Sequence, residues 1–274
     1  GVAGIPSYGG GPGMNIFEYN RNAWNLQSEE GCRWSTPFSA ERIEAVKKGE
    51  WSVILTPNKA VPTSWFPSYP DLSGVRILAL ASGGGQQVPI FAAAGAEVLS
   101  FDASDTQLRK DEETCARHGL TVQTEQGDMA DLTGLDDQSF DLIFNPVSNV
   151  FAESLAPIWE GCYRVLKPGG ALLTGFMNPC FFLFDHEVLE ETGEPVVKHR
   201  LPYSDMESAD AELLSDQLDA QLSLEYSHSW EDQIGGMCQA GFAITGFYED
   251  DWDEESTRLQ GWMPTSAAAR AVRW

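Results

Sequence analysis

Apolar residues in this chain gather in short unbroken runs rather than in alternation with polar ones. VRILALA at Val75–Ala81, EVLSFD at Glu97–Asp102, FDLIFN at Phe140–Asn145 and ALLTGFM at Ala171–Met177 are bounded by glycine, proline or polar turn residues. Runs of that length read as strands buried on both faces, as the central strands of a parallel sheet are. A weaker run, Leu120–Glu125, adds one more. Between them lie helix signals. Ser104 and Gln107 form a capping-box pattern opening a helix that runs to His118. Pro157 is tolerated in the first turn of another over Ser154–Leu166, which ends in the cation and breakers Lys167-Pro168-Gly169-Gly170. This alternation from Val75 to Met177 predicts a parallel sheet with right-handed crossovers.

Two regions break the rhythm. Asn15–Leu72 is rich in aromatic residues and proline, which suits short helices joined by fixed turns, Ser39–Lys48 among them. Trp24, Trp34, Trp51, Trp65 and Phe66 could either pack this segment onto the sheet or form a lid over a site. Asn178–Ser227 reads as an insertion with a short strand at Val196–Arg200 and a helix at Ala209–Leu222. A helix at Trp230–Ala240, capped by Ser229 and stopped by Gly241, then leads to strands at Phe242–Tyr248 and Ala267–Trp274, the last returning antiparallel.

The expected fold is therefore α/β: a Rossmann-like, doubly wound, mainly parallel sheet of about seven strands with a helical N-terminal lid and an insertion after the fifth strand. Residues 14–72 form the lid segment, and 73–274 the main domain with its insertion at 178–228. Residues 1–13, rich in glycine and preceding Met14, read as an expression leader.

The turns carry the candidate chemistry. Gly83, Gly84 and Gly85 follow the first strand, and a helix opening at Gln86 would point its unpaired N–H groups back at a ligand. Asp102, at the carboxyl end of the second strand, can accept both hydroxyls of a ribose. In Gly127-Asp128-Met129 the carboxylate can accept from an exocyclic amine while the Met129 N–H donates to a ring nitrogen, which is how an adenine edge is read; Asp128 as a plain turn residue is the alternative. The fourth strand runs into Asn145-Pro146-Val147-Ser148-Asn149.

Charge narrows the partners. With 17 basic and 41 acidic residues the formal net charge is -24, which repels nucleic acid and anionic membrane surfaces. No Lys or Arg falls between Arg200 and Arg258, a pattern that fits a solvated acidic face or a site for a cationic or amine substrate. The cysteines, Cys32, Cys115, Cys162, Cys180 and Cys238, are odd in number and lack C-x-x-C spacing, so no metal site is expected and a reducing cytoplasm fits. Neither a signal peptide nor an apolar run near the roughly 20 residues of a membrane helix is present.

Taken together, LALASGGGQQ, Asp102, the GDM turn, FDLIFNPVSN and RVLKPGG (Arg164–Gly170) resemble a class I S-adenosylmethionine-dependent methyltransferase with a domain of the type 11 kind. YNRNAWN, LTPNKAVPTSWFP, LPYSD, EDQIGG and GFYEDD resemble a bacterial subgroup of that family, which leaves the acceptor open. The resemblance implies S-adenosylmethionine as donor, no metal, and Ser82–Gly85 beside its methionine part and ribose. Asp102 would hold the ribose, Asp128 with Met129 the adenine, and Asn145, Pro146, Val147 and Ser148 would line the acceptor side. With their neighbours, the implied donor-binding set adds Ala81, Gln86, Ala103, Ser104, Gln107 and Gly127. This sequence departs from the family at two places: Ala79 stands at the usual acidic position and Ala81 at the first glycine.

The expected activity is methyl transfer to a small-molecule amine, hydroxyl or thiol. An oxygen acceptor needs a base, for which His186, His199 and Tyr19 are the candidates, although lone histidines, His228 included, are more often structural; Asn145 is a further catalytic candidate. Asn145-Pro146 is similar to the start of the N-P-P-aromatic motif of amino-nitrogen methyltransferases, with Val147 and Ser148 replacing its last two residues. The alternatives are a donor-binding sensor or partner subunit without catalysis, suggested by Ala79, and a nicotinamide-dependent oxidoreductase, against which Val88 stands where that fingerprint wants Gly or Ala.

Overall fold

A computed structural model describes residues 15–29, 39–253 and 255–274. Residues 1–13, Cys32 and Trp34 lie outside the described residues. In chain order the elements are helices α1 (Ile16–Glu29) and α2 (Ala40–Lys47), β1 (Arg76–Leu80), α3 (Val88–Ala93), β2 (Glu97–Asp102), α4 (Asp105–Arg117), β3 (Gln123–Gln126) and β4 (Phe140–Asn145). There follow α5 (Ala156–Val165), β5 (Leu166–Met177), α6 (His186–Thr192), α7 (Asp205–Ser208), α8 (Ala211–Asp219), α9 (Gly236–Ala240), β6 (Phe242–Asp250) and β7 (Ser266–Arg273). The seven strands form one sheet in the order β3-β2-β1-β4-β5-β7-β6, parallel from β3 to β5, with β7 antiparallel to both neighbours. No helix among the described residues is long and apolar enough to cross a membrane.

Both faces of the sheet are covered, which is why its central strands carry unbroken apolar runs. In β1, Ile77 and Ala79 face one core with α3 and the N-terminal segment, while Leu78 and Leu80 face the other with α5 and α9. Trp51, Trp65 and Phe66 are buried in the first core, where Trp51 and Phe66 pack edgewise and tilted against Phe91. Ser39 and Ser104 cap α2 and α4 through their side chains.

Some boundaries differ from expectation. The third strand starts at Gln123 because the Leu120 N–H is held by the Cys115 carbonyl at 2.8 Å in the turn that closes α4. Strand β5 begins at Leu166, paired with Phe140; a bulge carries Lys167 to Gly170 before pairing resumes at Leu142 and Ala171. At Val196–Arg200 only an isolated bridge, Phe184 to Val197, forms. The expected helix at Trp230–Ala240 opens with a π-helical turn over Glu231–Gly235 before α9.

The N-terminal segment is clamped across the carboxyl edge of the sheet. The Asp250 carboxylate, at the end of β6, accepts from Thr56 Oγ1 and from the Asn58 and Lys59 N–H groups, each at 2.8 Å. The Leu55 carbonyl accepts from Val147 N at 3.0 Å and passes over Gly175, where a Cβ would overlap it and crowd Val147. Because the obstructing atom is backbone, Gly175→Ala is expected to destabilise the protein by about 2 kcal/mol or more. Urea unfolding checks this, and an unchanged midpoint would show that the segment yields without cost.

Candidate functional site

At the carboxyl ends of β1, β2 and β4 lies a cavity of about 870 Å³. Three adjacent turns make its floor. After β1 the backbone passes through Ala81, held left-handed at φ 52, and then through Gly84 and Gly85 at φ 130 and 75. A left-handed backbone favours glycine, and Ala81 adopts it despite its Cβ. Gly83 N donates to Asp102 Oδ2 at 3.1 Å and Ser104 N to Asp102 Oδ1 at 2.9 Å. Gly83 is tightly hemmed, since a Cβ there would sit 3.0 Å from that of Gln107 and 3.1 Å from the Asp102 carboxylate. The third turn joins them directly: Gly127 N donates to the Asp102 carbonyl at 3.0 Å, which brings Asp128 to the same edge.

Burial pushes Asp102 up to about 6, against the bonds from Ser104, Gly83 and Ala103. Asp128 Oδ1 accepts from Ala130 N at 2.8 Å, so it serves its turn as well as lining the cavity. Ser82 also lines the cavity, and its buried Oγ has no partner among the described residues.

Beneath the glycine turn sits a residue that the sequence reading passed over. Asp111, fully buried on α4, accepts from Gly85 N at 2.7 Å and Gly84 N at 3.2 Å through Oδ1, and from Ser100 Oγ at 2.7 Å through Oδ2. Ser100 pairs in register with Ala79. A carboxylate therefore reaches the turn from α4 and the second strand instead of from the first. Burial drives Asp111 up to about 7, Asp102 adding to the rise while the Ser100, Gly85 and Gly84 bonds oppose it. An acidic residue at i+4 from buried Gln107 and i−4 from buried Cys115 was the available signal, a charge on the inward stripe of an amphipathic helix.

Of the expected donor-binding residues, Ala81, Ser82, Gly83, Gln86, Asp102, Ala103, Gln107, Gly127, Asp128, Met129, Pro146, Val147 and Ser148 line this cavity. Gly84, Gly85, Ser104 and Asn145 do not. The two glycines turn their N–H groups down to Asp111. Ser104 is buried as a helix cap, its hydroxyl shared between Gln107 N and Asn25. Asn145 is fully buried, bonding Asn149 and Thr174 and accepting from Ser148 Oγ at 2.9 Å.

The roof comes from α1, whose Phe17, Asn20, Arg21, Trp24 and Gln27 face the cavity at helical spacing. Asn25 donates to Asp105 at 2.9 Å, and Asn20 exchanges hydrogen bonds with the Leu224 backbone at 2.6 and 3.0 Å. Trp24 meets Phe151 edge-on with centroids 5.1 Å apart. Trp24 thus lies over the cavity, whereas Trp51, Trp65 and Phe66 belong to the core.

Over 258 residues the chain is 44% identical to the uncharacterized methyltransferase YbaJ of Bacillus subtilis, covering 94% of this chain and 98% of that one. This chain belongs to the class I S-adenosylmethionine-dependent methyltransferases. The methyltransferase-domain family model matches residues 78–174, from β1 to β5. An S-adenosylmethionine-dependent methyltransferase of Mesorhizobium loti shares the fold at a TM-score of 0.58 and 18% identity, over 77% of this chain and 94% of that one.

In this methyltransferase the class cofactor fits the residues present. The orphaned Ser82 hydroxyl and the side-chain-free backbone at Gly83 leave a cradle, and Asp102 keeps lone pairs beyond its bonds from the backbone. The expected catalytic candidates fare differently, since none of Asn145, Tyr19, His186 or His199 lines the cavity. The Tyr19 hydroxyl donates to the Leu222 carbonyl at 2.8 Å, and His186 Nε2 lies 2.8 Å from the Phe181 carbonyl. His199 packs against Tyr203, while His228 Nε2 sits between the Asn149 and Ala152 carbonyls at 3.0 and 2.8 Å. These side chains brace the insertion and the turn after β4.

Proposed function

We propose that this methyltransferase transfers the methyl group of S-adenosylmethionine to a small-molecule acceptor. The observation that carries this reading is one continuous cavity, about 870 Å³, lined by the three strand-end turns together with the apolar side chains of Phe151, Phe181, Phe182, Met177 and Trp252. That volume lies in the upper part of the range of small-molecule sites, roughly 300–1,000 Å³, so a donor and a compact acceptor can share it. The net charge of -24 argues against nucleic acid or an anionic membrane as partner.

Asp102 would accept from the ribose hydroxyls, Asp128 and Met129 would read the adenine edge, and Ser82 would donate to the methionine part. Arg21 is the one cationic side chain among the described lining residues and would pair with the donor carboxylate. The sulfonium supplies an already activated methyl group. What the chain adds is orientation, worth on the order of 7 kcal/mol or more when the reacting atoms are held in line, and a roof that excludes water.

Calorimetry with S-adenosylmethionine, S-adenosylhomocysteine and NAD tests the donor: both sulfur compounds are expected to bind and NAD is not. Binding of NAD alone would transfer the site to hydride chemistry. Turnover to S-adenosylhomocysteine across amines, phenols, thiols and carboxylates tests catalysis, and tight donor binding with no turnover of any acceptor would leave a sensor.

A further inference from the structure

The extended segment Ser223–Tyr226 closes the cavity beside the turn after β4. Ser223 and Glu225 line it, as alternate residues of an extended chain do, while Leu224 is fully buried with its backbone bound to Asn20. Tyr226 N donates to the Val150 carbonyl at 2.7 Å and Glu225 N to Asp205 Oδ2 at 2.8 Å, which fixes the segment next to Val150 and Phe151. These two residues follow Asn145–Ser148 in the chain and line the same cavity.

The Glu225 carboxylate has no hydrogen-bond donor and no cation within reach among the described residues. It is partly exposed and lines the cavity. Asp205 next to it is fully used, accepting from the Tyr203 hydroxyl at 2.6 Å, Gln217 Nε2 at 3.2 Å and Glu225 N. A half-buried carboxylate beside a buried one, with no counter-charge, is costly to maintain. A purely structural acid would be expected to have a basic partner, yet no Lys or Arg occurs between Arg200 and Arg258, and Arg21 is the single cation around the cavity. Burial, and then Asp205, push Glu225 up to about 7. The other titratable groups on the surrounding elements are Tyr19, Arg21, Glu153, Tyr203 and Tyr226. Burial raises all three tyrosines, so they stay neutral at physiological pH.

We propose that Glu225 is the acceptor-binding carboxylate and that the acceptor is an amine carried on an apolar, ring-sized body. This rests on the methyltransferase reading above. Trp24, Phe151, Phe181, Phe182 and Trp252 supply faces that attract an ammonium and its apolar body. An anionic acceptor would be repelled by Glu225, and a neutral alcohol would bring it no charge. In the reaction, Glu225 takes one proton from the acceptor ammonium and so frees the nitrogen lone pair. The nitrogen forms a bond to the methyl carbon as the carbon–sulfur bond breaks, the bonding pair leaving with sulfur. The product is an N-methylated ammonium, and Glu225 returns its proton to solvent. A carboxylate that titrates near neutrality is suited to this exchange.

The test uses the whole protein saturated with S-adenosylhomocysteine, titrated in a calorimeter with benzylamine, benzyl alcohol and benzoate. Benzylamine is expected to bind at least tenfold more tightly than the other two. Glu225→Gln should lose at least tenfold of that affinity, Glu225→Asp should recover part of it, and both variants should bind S-adenosylhomocysteine as the wild type does. Benzylamine affinity should also rise with pH through about 7 as Glu225 ionises, a dependence absent from Glu225→Gln. Equal benzylamine affinity in wild type and Glu225→Gln overturns the proposal, as does preference for benzoate or benzyl alcohol, or no benzylamine binding at millimolar concentration. If S-adenosylhomocysteine itself fails to bind the wild type, the methyltransferase reading falls first.

Discussion

Asp111→Ala is expected to lower the unfolding free energy by roughly 3 to 5 kcal/mol and to weaken S-adenosylmethionine binding at least tenfold. The substitution leaves the Gly84 and Gly85 N–H groups and the Ser100 hydroxyl buried without their acceptor, and each such orphan costs about 1 to 3 kcal/mol. It also frees the turn proposed to cradle the donor. Asp111→Asn, which keeps one acceptor oxygen, should cost less than Asp111→Ala. The pH dependence separates charge from packing. A carboxyl raised from 3.8 to about 7 in the folded state stabilises the protein fully below pH 4, and that contribution is lost as pH rises through about 7. Wild-type stability should therefore fall between these limits more steeply than that of Asp111→Asn. Urea unfolding across this range, with donor calorimetry on each variant, is the measurement. Equal slopes would mean that Asp111 carries no proton linkage, and unaltered donor affinity in Asp111→Ala would remove it from the cradle.

Asp102→Ala is the second large effect, and it should fall on binding before stability. With the ribose hydroxyls unpaired, donor affinity is expected to drop by about 1 to 3 kcal/mol, some 5- to 150-fold by the usual conversion. Gly83 N and Ser104 N also lose their acceptor, so the first turn and the start of α4 should loosen together. Because burial lifts Asp102 to about 6, and the ionised form is the better acceptor, wild-type donor affinity should increase as pH rises through about 6. That increase should be missing in Asp102→Asn. Calorimetry over the same interval decides it, and an affinity indifferent to Asp102→Ala would move the ribose elsewhere.

The sheet was legible because its central strands are buried on both faces, so Leu78, Leu80, Ile143 and Leu172 stand in runs that need no partner information to interpret. Ser39 and Ser104 announced their helices by local hydrogen bonding three residues ahead. The floor of the site was legible for a related reason, since glycines and acids at strand ends are fixed by the backbone that precedes them. What escaped depended on long-range contact. Asp111 holds a turn some 26 residues earlier, and Glu225 lines a cavity whose wall is assembled from both ends of the chain. Asn145, Tyr19, His186 and His228 looked chemically able, yet their polar atoms are taken up by backbone carbonyls and neighbouring side chains that no spacing rule indicates, and His199 packs against Tyr203.

Helix α1 is braced at one point to the start of α4 and at another to the segment carrying Glu225. A single helix thus borders both the region proposed for the donor and the region proposed for the acceptor. Substitutions at Phe17 or Trp24 intended to admit a bulkier acceptor should also shift the KM for the donor, and selectivity in this enzyme can be redesigned only with both ligands in view.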